Sequence, residues 1–193
     1  MHTGLIYIFT GNGKGKTSAA LGVATRAICA KLKVAWVAWY KEATWDISEK
    51  HLPEFLPIDF YLLGKGFYIQ KPTKTINKLK TAPLKSGGVV TDDNTKNQHY
   101  EAAQIAYRKA TQILESQSHD VLVCDEINNA LSEKLLTSEQ VLSLLKLRHK
   151  THLVLTGRDA RKEIIEVADL VTEMKKIKHP YDLGQKAIKG LDF

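Results

Sequence analysis

The sequence predicts an α/β fold in a single domain, residues 1–193, with a mostly parallel sheet flanked by helices. Short apolar runs alternate with amphipathic stretches along the chain, which is typical of strands joined by crossover helices. The run VAWVAWY at residues 34–40 is apolar on both faces, as expected of a strand covered by helices on each side. A glycine-rich turn separates the first apolar run from the first amphipathic stretch.

The predicted strands are short apolar runs rich in β-branched and aromatic residues. They are residues 4–10, 34–40, 58–63, 121–124, 153–156 and 170–174. The predicted helices have apolar residues at helical spacing. They are residues 16–31, residues 98–114, a helix that begins after Thr137, and residues 162–168. Thr137 and Gln140 have the spacing of a capping box, which supports the third of these helices.

Residues 64–97 are the exception to this regular pattern. Glycines and prolines interrupt the segment, and its seven lysines outnumber its two aspartates, so that it supplies +5 of the net charge of +7. A loop of this length inside a compact domain is usually functional or disordered. We therefore expect residues 64–97 to form a Lys-rich flexible loop or insertion within the domain.

Composition and charge exclude several classes of protein. The length of 193 residues, with 44% hydrophobic and 25% charged residues, is typical of one globular domain. No apolar run reaches the roughly 18 residues that span a bilayer, and the first residues lack the apolar core of a signal peptide, so we expect a cytoplasmic protein without membrane contact. The two cysteines provide neither zinc-site spacing nor a disulfide framework. Outside residues 64–97 the chain is nearly neutral, so no nucleic-acid partner is expected.

The most specific motif is TGNGKGKT at residues 10–17, between a predicted strand and a predicted helix. Glycines let backbone N–H groups converge on phosphate oxygens, and the following helix presents its partial positive charge. Lys16 is expected to reach the terminal phosphates and Thr17 to ligate Mg²⁺. Thr10 stands where the usual pattern has glycine, and a glycine-rich turn without a ligand is the alternative. The residues expected to bind ATP here are Thr10, Gly11, Asn12, Gly13, Lys14, Gly15, Lys16, Thr17 and Ser18.

Two carboxylates, Asp125 and Glu126, follow the apolar run at residues 121–124. A carboxylate at the carboxyl end of a strand can hold Mg²⁺ directly or through water. We expect Asp125 to be the metal-side group and Glu126 to orient water or a ligand, so that Thr17, Asp125 and Glu126 form the metal site. The alternative is two solvated acids that close a strand. With the phosphate loop, the pair favours ATP with Mg²⁺ and a P-loop NTPase-like fold of the RecA-like type.

Arg158 lies in TGRD at residues 156–159, after a further predicted strand. Because the carboxyl ends of parallel strands meet at one edge of the sheet, Arg158 is expected on the ligand side. Its guanidinium suits a phosphate or a carboxylate, and we predict that it contacts ATP. The alternative is a surface arginine after a turn.

Several segments together resemble one family. They are TGNGKGKT with Ser18, VCDE at residues 123–126, TGRD at residues 156–159, EIIEVADLVTE at residues 163–173 and MKKIKHPYDLGQKAIKGLDF at residues 174–193. In these segments the chain resembles the P-loop ATP:corrinoid adenosyltransferases, the cob(I)yrinic acid a,c-diamide adenosyltransferases of cobalamin synthesis and salvage. A generic ATPase has no reason to share the closing segment.

The resemblance implies a reaction that the phosphate motifs alone do not suggest. The 5′-deoxyadenosyl group of ATP is transferred to the Co(I) of a reduced corrinoid, and triphosphate is released. Co(I) is the nucleophile, so no residue is implied as catalytic acid or base, and Lys16 is implied to stabilise the leaving triphosphate. The nucleotide lies reversed relative to ordinary P-loop NTPases. Arg26, in the helix after the loop, is implied to contact ATP.

The resemblance also implies a corrinoid site, which includes Lys41. Trp45, in a polar loop after the second predicted strand, is expected to line the ligand pocket. Phe67 and Ile69 belong to GFYI, where the family has Gly-Phe-Thr-Trp, and Ile69 covers less of the lower corrin face than tryptophan does. The Lys-rich segment is expected to be a mobile lid that ATP or corrinoid orders. A homodimer and an electron-donating reductase partner are further implications.

Two other functions fit the same motifs. A RecA-like P-loop ATPase would couple hydrolysis to nucleic acid, with the lysines of residues 64–97 on phosphates. A homologue without transferase activity would bind ATP and corrinoid but form no Co–C bond. The closing segment favours the adenosyltransferase over the first alternative, and Ile69 leaves the second open.

Overall fold

The computed structural model describes residues 3–66 and 95–192, and within them six strands form one sheet. They are β1 (Ile6–Thr10), β2 (Val34–Ala38), β3 (Ile58–Leu62), β4 (Val121–Asp125), β5 (His152–Thr156) and β6 (Leu170–Glu173). Every neighbouring pair is parallel, in the order β3-β2-β4-β5-β1-β6. The prediction of an α/β fold with a mostly parallel sheet flanked by helices is confirmed.

The described helices include the four that the sequence predicts. They are α1 (Lys16–Cys29), α2 (Leu52–Phe55), α3 (Lys96–Ser116), α4 (Ile127–Ser132), α5 (Ser138–Lys146) and α6 (Lys162–Ile165), with 3-10 turns at Ser48–His51 and Pro180–Leu183. The helix predicted at residues 162–168 is a single turn, α6. The short helices α2 and α4 were not predicted, because four to six residues are too few for helical periodicity to appear.

Helices cover both faces of the sheet. On one face, Ala20, Ala24 and Ala27 of α1 pack against Trp36 and Val123 of the central strands. On the other face, α3, α4, α5 and α6 cover a second cluster. Its buried members include Ala106, Ile113, Leu122, Leu131, Leu144, Leu153 and Ile164. Because both faces are covered, all five residues of β2 and all five of β4 are buried.

The helix caps follow the sequence. Thr137 accepts a hydrogen bond from the backbone N–H of Gln140, whose side chain accepts one from the backbone N–H of Thr137. Thr95 and Gln98 form the same capping box at the start of α3. Each box satisfies backbone donors that a helix start otherwise leaves unpaired. The predicted cap of α5 is confirmed.

The strand order decides which segments meet. β5 lies between β1 and β4, and β2 lies on the other side of β4. Since all the strands are parallel, the segments that follow β1, β2, β4 and β5 leave the sheet at the same edge, where ligands bind in open α/β sheets. The described residues contain no helix long and apolar enough to cross a membrane.

Candidate nucleotide-binding site

The turn after β1 has the conformation that its glycines predict. Gly11 and Gly15 adopt φ values of 97° and 112°, in a region that favours glycine. A Cβ atom on Gly11 would lie 2.5 Å from the carbonyl oxygen of Met174. The backbone N–H of Gly13 donates to that same oxygen at 2.6 Å. The turn is therefore packed closely against the end of β6.

Lys16 begins α1 and its side chain folds back over the turn. Its ammonium donates to the carbonyl oxygens of Gly11 and Gly13, each at 2.8 Å. Burial, followed by the nearby charge of Arg158, lowers the pKa of Lys16. An ammonium held in this way among backbone groups is well placed to meet the oxygens of a polyphosphate.

Asp125, at the end of β4, is fully buried and lies at the centre of a hydroxyl cluster. The hydroxyl of Thr156 donates to its Oδ1 at 2.7 Å, and the hydroxyl of Thr17 donates to the same oxygen at 3.1 Å. Thr156 also accepts a hydrogen bond from the backbone N–H of Glu126 at 2.8 Å. The structure thus joins the ends of β4 and β5 to the first turn of α1.

Glu126 has the backbone conformation of a sharp turn, with φ at 64°, and precedes α4. Its Oε2 is buried and has no hydrogen-bond partner among the residues that the structure describes. Burial, followed by the charge of Asp125, raises the pKa of Glu126 to about 8. The two adjacent carboxyls therefore have different environments. Asp125 has hydroxyl and ammonium partners, whereas Oε2 of Glu126 has no hydrogen-bond partner among the described residues.

Lys41, which follows β2, is the ammonium partner of Asp125. Its Nζ lies 3.0 Å from Oδ2 of Asp125 and 3.1 Å from Oε1 of Glu49. The side chain of Lys41 is 12% exposed. Burial lowers its pKa, but the carboxylates of Asp125, Glu126 and Glu49 outweigh burial and raise it above its ordinary value. Lys41 is therefore a charged, mostly buried group next to the predicted metal site.

The two arginines predicted to contact ATP lie in different places. Arg158 is half-buried after β5, and its backbone N–H donates to Oδ1 of Asn129 at 2.7 Å. Its charge is one cause of the lowered pKa of Lys16, and its segment contacts the loop, since the backbone N–H of Ala160 donates to Oγ1 of Thr10 at 3.3 Å. Arg26 is exposed in the last turn of α1. It lies about 15 Å along the helix axis from Lys16, so the structure brings Arg158 to the loop and does not bring Arg26 there.

The remaining predicted residues lie around this edge of the sheet or outside the described ranges. Asn12 and Ser18 are exposed on the loop and on the first turn of α1. Trp45 is half-buried in the segment between β2 and β3, where its backbone N–H donates to the carbonyl of Glu42 at 3.0 Å. Phe67, Ile69 and most of the predicted Lys-rich loop lie outside the described residues.

The closing segment returns to the phosphate loop. Nζ of Lys14 lies 2.5 Å from Oδ1 of Asp192, and Nζ of Lys189 lies 2.5 Å from Oδ2 of Asp46. All four side chains are partly or largely exposed, so each pair contributes little to stability. Their arrangement nevertheless brings residues 189–192 beside the loop and beside the segment that carries Trp45.

Thr156 and Asp192 belong to this site, although the sequence did not predict either of them as a site residue. The sequence pattern could have indicated Thr156 as a site residue, since it is a polar residue at the end of an otherwise apolar strand, as Asp125 is. Asp192 had only the resemblance of its segment, because an acid more than 170 positions from Lys14 has no local pattern to connect the two.

Comparisons with known proteins find relatives that align with nearly the whole chain. A family model described as ATP:corrinoid adenosyltransferase BtuR/CobO/CobP matches residues 2–193. A corrinoid adenosyltransferase from Sinorhizobium sp is 35% identical and aligns with 98% of this chain and 80% of its own length. One from Escherichia coli (strain K12) is 32% identical and aligns with 98% of this chain and 86% of its own. A KaiC-like protein from Pyrococcus horikoshii OT3 superimposes with a TM-score of 0.48 at 17% identity, over 91% of this chain and 74% of that one.

The family model spans nearly the whole chain, including the closing segment that the phosphate motifs do not explain. It therefore favours adenosyl transfer over the nucleic-acid-dependent ATPase. The predicted resemblance is confirmed. The chain belongs to the ATP:corrinoid adenosyltransferase family, in which the adenosyl group of ATP is transferred to a corrinoid in cobalamin metabolism.

Proposed function

We propose that the turn after β1 holds the triphosphate of ATP so that C5′ of the ribose, and not the γ-phosphorus, meets the Co(I) of a reduced corrinoid. In this reaction the electron pair of Co(I) forms the Co–C bond while the C5′–O bond breaks, and its electron pair leaves with the triphosphate. No protein group accepts a proton in this step. The chain's task is to orient C5′ and to stabilise the leaving charge.

The observation that carries this proposal is the match of the adenosyltransferase family model to residues 2–193. The convergence of Lys16, Thr17 and Asp125 at one edge of the sheet supports a triphosphate site there. Lys16 lies over the turn, where an ammonium can offset the charge that develops on the triphosphate. The backbone N–H groups of the glycine-rich turn can supply further donors. Arg158 and Arg26 remain proposed ATP contacts, the first supported by the contact of its segment with the loop, where the backbone N–H of Ala160 donates to Oγ1 of Thr10.

The same residues fit a magnesium ion. Magnesium prefers a few oxygen ligands from protein and completes its shell with water and phosphate oxygens, and the Thr17 hydroxyl and the Asp125 carboxylate lie 3.1 Å apart. Glu126 adds a buried carboxyl oxygen without a hydrogen-bond partner among the described residues. Bound there, Mg²⁺ would neutralise part of the triphosphate charge. We propose Thr17 and Asp125 as its protein ligands, with Glu126 orienting water.

The corrinoid side of the proposal is carried by the family and by the segment after β2. We propose that Trp45 lines the corrinoid site, together with Phe67 and Ile69. Lys41 belongs to the same proposal, although its observed partners are two carboxylates. We further propose that the enzyme acts in the cytoplasm as a homodimer, that a reductase supplies the electron that yields Co(I), and that residues 64–97 cover the bound substrates.

An assay with chemically reduced corrinoid tests the proposal. The protein is mixed with ATP, Mg²⁺ and pre-reduced corrinoid, and adenosylcorrinoid formation is followed by absorbance while the phosphate products are separated. The expected result is one triphosphate released for each Co–C bond formed, with the rate strongly reduced in Lys16→Ala. Orthophosphate release without corrinoid would support an ordinary ATPase. Binding of both substrates without Co–C bond formation would support the homologue that lacks transferase activity.

A further inference from the structure

Lys41 contacts two carboxylates that belong to different parts of the molecule. Asp125 ends a central strand of the rigid sheet, whereas Glu49 lies in the 3-10 turn Ser48–His51, between β2 and β3. The ammonium lies 3.0 Å from the first carboxylate and 3.1 Å from the second. One side chain therefore joins the predicted metal site to the segment of residues 42–51, which also carries Trp45.

The two oxygens of Asp125 have separate partners. Oδ1 accepts hydrogen bonds from Thr17 and Thr156, and Oδ2 pairs with Lys41. A change at Oδ1, such as the arrival of a divalent cation beside Thr17, alters the charge that Lys41 meets at Oδ2. Because Lys41 is mostly buried, water screens this change only weakly.

Glu49 is the second carboxylate that Lys41 contacts, so a change in the Lys41–Asp125 interaction also affects Glu49. Its side chain is 15% exposed, and its Oε2 is buried without a hydrogen-bond partner in the described part of the chain. The contact with Lys41 is therefore the main polar interaction that the structure gives this carboxylate. When Lys41 is attracted less strongly to Asp125, its ammonium interacts more strongly with Glu49. This stronger interaction draws residues 42–51 closer to the sheet.

We propose that Lys41 is a positioning residue that transmits occupancy of the magnesium–ATP site, through Glu49, to the conformation of residues 42–51. The inference rests on the proposed function, in which Asp125 is a metal ligand. It adds a mechanical link between that ligand and the segment beside the corrinoid. Glu49 has no assigned part in the reaction otherwise.

Trp45 provides the readout, because it lies in the responding segment while Trp36 and Trp39 are buried in the core. Tryptophan emission is recorded with and without saturating Mg²⁺ and ATP, and saturation is verified by equilibrium dialysis with radiolabelled ATP. Trp45→Phe identifies the part of the change that comes from Trp45. The wild-type chain is expected to show a change in emission that Trp45→Phe loses.

Glu49→Gln is the decisive variant, since it keeps the Lys41–Asp125 pair and has nearly the same shape. It is expected to bind ATP but to lose the Trp45 response. Lys41→Met should also lose the Trp45 response. This variant leaves a buried carboxylate uncompensated and is therefore the less stable of the two. Lys50→Met is the matched control: Lys50 lies in the same 3-10 turn and pairs only weakly, at 3.9 Å, with Asp46. It should keep the response.

The proposal is overturned if wild type shows no Trp45-dependent change at saturation, if Glu49→Gln keeps the full response, or if Lys50→Met loses it as completely. Failure of the proposed function has a different result. In that case dialysis shows no binding of Mg²⁺ with ATP to wild type, or the same affinity in Asp125→Asn, and the link through Lys41 fails with it.

Discussion

The hydroxyl of Thr156 donates a 2.7 Å hydrogen bond to Oδ1 of Asp125, and both residues are fully buried. The bond joins the ends of two neighbouring strands, β5 and β4. Thr156 also accepts from the backbone N–H of Glu126, so a single hydroxyl fixes the carboxylate and the sharp turn after it. The geometry of the predicted metal site therefore depends on the strand that lies between β4 and β1.

Thr156→Val should lower the stability of the fold and the rate of adenosyl transfer. Valine has the same shape but leaves the backbone N–H of Glu126 without its partner and removes one of the two hydroxyls that donate to Oδ1 of Asp125, at a cost of about 1–3 kcal/mol. The free energy of unfolding is measured in urea and the rate with pre-reduced corrinoid. Thr156→Ser keeps the hydroxyl and should recover most of the rate. An equally slow serine variant would show that packing, not the hydrogen bonds, is what matters.

Lys16→Ala should reduce adenosyl transfer by about 100-fold or more, the usual cost of removing one donor that stabilises developing negative charge. The reason is that Lys16 is the ammonium that lies over the phosphate-binding turn. Lys150→Ala removes an exposed lysine just before β5, at the opposite edge of the sheet, and should leave the rate unchanged. Similar rates for the two variants would contradict the role of Lys16.

Glu126 predicts a pH dependence of stability. Its pKa is raised to about 8 in the folded protein, against 4.5 as the ordinary value. Between these values the folded state keeps a proton that the unfolded state has lost, so the free energy of unfolding falls as the pH rises, by at most about 1.4 kcal/mol per unit.

Glu126→Gln cannot titrate and should therefore flatten this fall. Urea unfolding is measured from about pH 5 to about pH 8 without nucleotide or divalent cation. Glu166→Gln, at an exposed position of the surface, serves as the control and should keep the wild-type slope. If Glu126→Gln keeps that slope as well, the side chain of Glu126 is already ionised in the folded protein.

Gly11→Ala should destabilise the protein more than Gly15→Ala does. Both glycines have positive φ, so either alanine carries a backbone cost of about 1–2 kcal/mol. Only at Gly11 would the new Cβ also meet a backbone oxygen, that of Met174 at 2.5 Å; at Gly15 nothing lies within 4 Å. Urea unfolding of the two variants measures the difference. An equal decrease in the free energy of unfolding for both variants would mean that the turn moves away from Met174 at no cost.

Much of the fold follows from local pattern. Each of the six predicted strands overlaps an observed one, and the capping residues Thr137 and Gln140 act as predicted. Hydrophobic periodicity and helix capping depend on residues that are close in sequence, so both can be recognised without knowledge of the fold. The turn after β1 can also be recognised from local sequence, because the backbone of the turn itself requires its glycines.

The alternation of strands and helices, the glycine-rich turn, the acids after β4 and the family can all be recognised from the order of the residues. The folded chain adds that Thr156 donates to Asp125, that Lys41 lies between Asp125 and Glu49, and that Asp192 reaches Lys14. These contacts join residues distant in the chain. They exist because β5 lies between β1 and β4, and strand order arises from the packing of the whole sheet, which no local period encodes.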